Sequence, residues 1–182
     1  MRPALTFIIA TLAQLYLLVM LLRFWLPWLR ADFRNPIAQG ILRLTSPLIV
    51  PVRRIVPPIG RLDSATVIVT FALQYLTILV ILAIAKIPPA ILPVALSSAI
   101  DLALLSLRLF TFAIFIHIIL SWIAPGTFNP ATAFIATLAE PVLRPFRRLV
   151  PPIGGLDISP VFAIILLQAV AIFLGTLRPY GV

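Results

Sequence analysis

Apolar residues fall into four long runs, separated by two polar, arginine-rich stretches. A membrane span needs ~20 mostly apolar residues. Residues 5–25 qualify, with Gln14 inside and Arg23 near the end. Residues 66–85 qualify and stop at Lys86 and Pro88-Pro89. The third run lies within 102–123 and carries Arg108 and His117; the fourth, 161–177, ends at Arg178-Pro179. Arg2 ahead of the first run resembles the start of a signal peptide, but the run is too long for one, so a retained helix is expected. Residues 90–101 are apolar too, and are expected as a surface helix or an extension of the third span.

The stretches between spans have a pattern of their own. Asn35 and Asn129 can cap helices by accepting from a free backbone N–H. Pro36 and Pro130 follow at the first helical position, where no donor is lost. Ile37, Ile41, Leu44 and Leu48 then recur at helical spacing, as do Ala131, Ile135, Leu138 and Val142. These are short amphipathic helices, expected to lay an apolar face in lipid and to be broken by Pro47 and Pro51, and by Pro141 and Pro145. Arg53-Arg54 and Arg147-Arg148 come next. The pairs Pro57-Pro58 and Pro151-Pro152 stiffen the return, and Gly60 and Gly154 allow a turn at positive φ.

The second half repeats the first. PLIVPVRRIVPPIGRLD at 47–63 aligns without a gap on PVLRPFRRLVPPIGGLD at 141–157, 94 positions later. From Asn35 to Asp63, 15 of 29 positions match their counterparts, so chance similarity is excluded. The fold class expected is an all-α integral membrane protein. Its four transmembrane helices form two parallel, same-topology repeats, 1–89 and 90–182, each helix–amphipathic loop hairpin–helix.

Composition agrees with the spans: 62% hydrophobic and 10% charged, with mean hydropathy +1.18. Soluble domains carry ~25% charge. The net charge of +9 comes almost entirely from arginine. Most of it lies in the two long loops, so the positive-inside rule places both loops in the cytoplasm and both termini outside. Anionic membrane lipid is the partner this charge selects, and direct nucleic-acid contact is not expected.

Asp63 and Asp157 stand just ahead of the second span of each copy. Each can cap that helix, and each can pair with an arginine of its own loop, Arg53 or Arg54 and Arg147 or Arg148, closing the loop as a clasp. The pattern N-P, then P-x-x-x-P-x-R-R-x-x-P-P-x-G-x-x-D before a span, written twice with Trp28 and Trp122 ending the first helix of each copy, resembles the YggT (YlmG) family of small membrane proteins. The resemblance covers nearly the whole chain. It implies a bacterial inner-membrane location, and roles in membrane-protein and cytochrome assembly, in membrane, nucleoid or thylakoid organisation, or in osmotic tolerance. It implies no enzymatic activity.

The residues themselves offer little for catalysis. With one histidine, five acids and no cysteine, no metal or cofactor site and no catalytic residue is expected. His117 is expected to make a hydrogen bond within the bundle, proton transfer or haem ligation being the alternative. The polar residues inside spans, Gln14, Arg23, Gln74, Arg108, His117 and Gln168, read either as helix–helix glue or as a conduit. Arg23 and Arg108 are expected to snorkel to the interface, and no span is expected to hold a carboxylate at its centre. Two functions follow. One is a non-enzymatic assembly or scaffolding factor whose Arg/Pro loops meet anionic lipid or an unidentified membrane-protein partner, with homo-oligomerisation open. The other is an ion-handling or accessory transport protein in osmotic adaptation, handling potassium or another cation.

Overall fold

A computed structural model describes residues 2–60, 63–123, 129–150 and 157–180. These form six helices: α1 (Arg2–Trp28), α2 (Pro36–Arg53), α3 (Ser64–Ala85), α4 (Ile91–Ile123), α5 (Pro130–Leu149) and α6 (Ser159–Thr176), with no sheet strand among the described residues. Four of them, α1, α3, α4 and α6, are long and apolar enough to cross a membrane. They lack a polar face because lipid, not water, would cover them. The chain is thus a multi-pass membrane protein. Residues 91–101 extend the third span as one helix of 33 residues.

Helix ends follow the sequence. Asn35 accepts from the Ile37 N–H, and Asn129 from those of Ala131 and Thr132, closing a capping box with Thr132. Lys86 ends α3 in the left-handed conformation at φ 60°, donating its N–H to Ala83 and Leu82, before Pro88-Pro89 forbids continuation. Gly60 takes φ 61°, the turn expected of it. Gly154, Pro151 and Pro152 lie outside the described residues.

The internal prolines do not break the loop helices. α2 runs through Pro47 and Pro51, and α5 through Pro141 and Pro145. A spacing of four puts both withheld N–H groups on one side, and all four prolines are exposed there. The carbonyls they leave unbonded, such as that of Arg43, therefore face the surroundings, and the opposite face holds the helix together. The expected apolar stripe is also divided: Ile41 is buried while Ile37, Leu44 and Leu48 remain exposed. The buried face of α2 is Ala38, Ile41, Thr45 and Ile49, packed on protein rather than lipid.

α4 is the axis of the bundle, touching α1, α3, α5 and α6. Two of three members of one core recur as counterparts in the other, Met20 and Ile49 falling on Ile114 and Leu143. Met20 on α1 packs with Ile49 on α2 and Ala65 on α3, while Ile114 on α4 packs with Leu143 on α5 and Ala163 on α6. A third cluster joins α1 and α2 to α4 and α5 through Leu26, Ile41, Leu109 and Leu138. α2 touches α5 directly, and the Asn35 side-chain amide donates to the Pro130 carbonyl at 2.7 Å.

Candidate functional site

Each loop is tied to its spans by a charged network at four corresponding positions. In the first copy these are Arg23, Ser46, Arg53 and Asp63. Asp63 caps α3, accepting from the Thr66 N–H at 3.4 Å and the Thr66 hydroxyl at 2.8 Å. The same carboxylate accepts from Arg53, ten residues back in the loop. Arg23 rises from α1 beneath them, only 5% exposed. It donates to the Thr45 hydroxyl at 2.8 Å and the Ser46 hydroxyl at 3.3 Å, with its Nε 3.8 Å from the Asp63 carboxylate. Arg23 does not snorkel out: oxygen atoms of α2 and the Asp63 charge compensate it inside the protein.

In the second copy the positions carry His117, Glu140, Arg147 and Asp157. His117 on α4 lies 3.2 Å from the Glu140 carboxylate. Arg147 donates to both Glu140 oxygens, at 2.8 and 2.6 Å, and through Nε to Asp157 at 2.7 Å. Asp157 accepts from the Ser159 N–H at 2.9 Å, but it does not cap α6 as expected: the N-cap is Ile158, which has no side-chain cap, and Asp157 stands one residue before it. The first arginine of each pair is thus the one bound to its aspartate. Arg54 and Arg148 are exposed and have no ion-pair partner among the described residues.

The electrostatics follow the contacts. Burial works against a charged Asp63, but the Thr66 hydroxyl and Arg53 outweigh it and hold the carboxyl below its usual range. Asp157 is lowered in the same way: burial opposes its charge, and Ser159 and Arg147 outweigh it. Hydrogen bonding to Glu140 raises the Arg147 guanidinium above its ordinary range against the cost of burial, with Asp157 adding to it. Glu140 was absent from the expected site. Its signal was a pair of changes between copies: where Arg23 becomes His117, Ser46 becomes Glu140.

The other intramembrane polar residues meet elsewhere. Gln74, near the middle of α3, donates to Asp101 at 3.0 Å. Asp101 also pairs with Arg178 at 2.7 Å. A carboxylate therefore does sit at mid-span, contrary to expectation, because residues 91–101 belong to the third span. A cavity of about 280 Å³ opens here, lined by Gln14, Gln74, Thr77, Asp101, Arg108 and Arg178. A second, of about 210 Å³, lies between α4 and α6, where Gln168 and Thr111 join Arg108 and Arg178. Gln14, Gln168 and Arg108 are exposed and line these cavities rather than bonding across a helix contact.

The family model described as CCB3/YggT matches this chain twice, at residues 3–84 and 96–178. An uncharacterised protein of Pseudomonas aeruginosa is 41% identical over 172 residues, covering 93% of this chain and 87% of its own length. The protein called YggT in Escherichia coli is 35% identical over 167 residues, covering 91% and 86%. The chloroplastic YlmG homolog protein 2 of Arabidopsis thaliana is 35% identical over 66 residues, covering 35% of this chain and 25% of its own. No solved structure matches. The chain belongs to the CCB3/YggT family.

Proposed function

We propose that this CCB3/YggT-family chain is a non-enzymatic scaffold of the bacterial inner membrane. Its two loops lie together on the cytoplasmic side, with both termini periplasmic, and the two repeats run in parallel. The loops engage anionic lipid and, through it or beside it, a membrane-protein partner. The observation that carries this reading is the division of labour within each arginine pair. Arg53 and Arg147 are consumed by Asp63 and Asp157, which fixes the loop. Arg54 and Arg148 are left outward, beside exposed Ile55 and Leu149, an arrangement suited to the headgroup layer. The contact of α2 with α5 supports a single basic face built from both loops. Each basic residue near an anionic surface contributes ~1 kcal/mol.

Nanodiscs test it. Hydrogen exchange in α2 and α5 should slow when phosphatidylglycerol is added to phosphatidylcholine, and Arg54→Gln with Arg148→Gln should abolish that dependence. Exchange indifferent to lipid charge would reject the reading. A second reading, ion handling, is favoured by the polar cavity at mid-span. Ion flux through liposomes holding the purified protein would establish it, and impermeable liposomes would remove it.

A further inference from the structure

The mid-span cavity stands apart from the loops, and its charge balance selects a ligand. Two guanidiniums, Arg108 and Arg178, line it against one carboxylate, Asp101. That carboxylate is already engaged by Arg178 and by the Gln74 amide. Arg108 has no hydrogen bond or ion pair among the described residues, yet it lines both this cavity and its neighbour. It lies near the middle of α4, roughly 25 Å of helix from either end at ~1.5 Å per residue, beyond the reach of a side chain along its own helix. The charge that acts on Arg108 is Asp101, already shared with Arg178; a guanidinium so thinly compensated at such depth is expensive, and arginines there face a cavity and find a counter-charge. The cavity, at about 280 Å³, is far larger than the space a single water occupies.

We propose that this cavity binds an oxyanion, a phosphate group held by Arg108 with help from the Gln14 amide. Guanidinium binds phosphate through two parallel charge-assisted hydrogen bonds, which a cation could not use. The engaged state of Asp101 leaves no free carboxylate for a cation. The phosphate is either free in solution or part of an anionic lipid headgroup.

Two probes separate the sources. Inorganic phosphate is titrated calorimetrically into the protein in phosphatidylcholine nanodiscs. Phosphatidylglycerol retained by the detergent-solubilised protein is counted by native mass spectrometry, in a background of Arg54→Gln and Arg148→Gln. Binding in the first arm identifies a free anion, and in the second a lipid. In either, Arg108→Gln should weaken binding about tenfold or more, Arg108→Lys should retain part of it, and Asp101→Asn should tighten it by removing the opposing charge. The tightening keeps the test valid if Arg108→Gln fails to insert. Neither probe binding the wild type, equal binding by wild type and Arg108→Gln, or an affinity unmoved by Asp101→Asn would overturn the proposal.

Discussion

At four corresponding positions the first loop carries Arg23, Ser46, Arg53 and Asp63, and the second His117, Glu140, Arg147 and Asp157. In the first, a permanent cation is buried under the loop, and Asp63, 12% exposed, is the acid among the four. In the second, the deep cation is replaced by a histidine, and an added carboxylate, Glu140, lies against it and takes up Arg147 from the other side. Asp157 is correspondingly 39% exposed. The same geometry therefore rests on different electrostatics. The first clasp depends on one aspartate to neutralise a buried charge. The second shares its arginine between two acids, closer to solvent. One motif in sequence need not carry one energetic weight.

The largest expected effect breaks that contrast directly. Asp63→Ala removes a helix cap and strands buried Arg23, and should cost about 3 kcal/mol. Asp157→Ala should cost no more than ~1 kcal/mol, because its ion pair is screened and mainly the hydrogen bond from Ser159 is lost. Unfolding in mild detergent compares the two; equal losses would mean the copies are energetically alike. Next in size is a transplant. Arg23→His alone should destabilise the first loop, and adding Ser46→Glu should recover part of the loss, with a coupling of ~1–2 kcal/mol in the double-mutant cycle. No coupling would deny that these positions act as one network.

Smaller still is Asp→Asn, which keeps capping ability and removes charge. Asp63→Asn should speed proteolysis at the Arg53-Arg54 pair, while Asp157→Asn should change cleavage at Arg147-Arg148 much less. Equal resistance of Asp63→Asn and wild type would leave only the cap. The smallest effect is that of pH. Both aspartates are lowered in the folded state, so their stabilisation is complete above the ordinary carboxylate range and is lost only as pH falls through their depressed values. Raised Arg147 contributes fully below the ordinary arginine range. Loop proteolysis by a protease active over that range should therefore be flat from neutral pH down to about pH 5 in the contributions of these groups, and rise only below ~4.

The clasp was legible because its parts are close in the chain and written twice: Arg53 and Asp63 lie ten residues apart, as do Arg147 and Asp157. The Asn35 and Asn129 caps were legible for the same reason. Pro47 and Pro51 misled because propensity alone ignores where the missing donors point, and here all point outward. The mid-span cluster was hidden for another reason. Asp101 and Gln74 come from two helices and Arg178 from just beyond the end of a third, and α4 is offset along the bundle, so that Trp25 meets Ser106 and Phe110 rather than its counterpart Ile119. A sliding offset between two copies leaves no trace in either copy's sequence.

Under the scaffold proposed above, both loops share one basic, cytoplasmic face. The chain has no cysteine, and a Cβ added at Gly40 would meet nothing within 4 Å, so Gly40→Cys on α2 and Ala131→Cys on α5 give clean single-thiol reporters. With an impermeant thiol reagent, both should stay unlabelled in spheroplasts with an intact inner membrane and both should react once that membrane is opened. Labelling of one alone in intact spheroplasts would contradict the shared face, and labelling of both would contradict its cytoplasmic side.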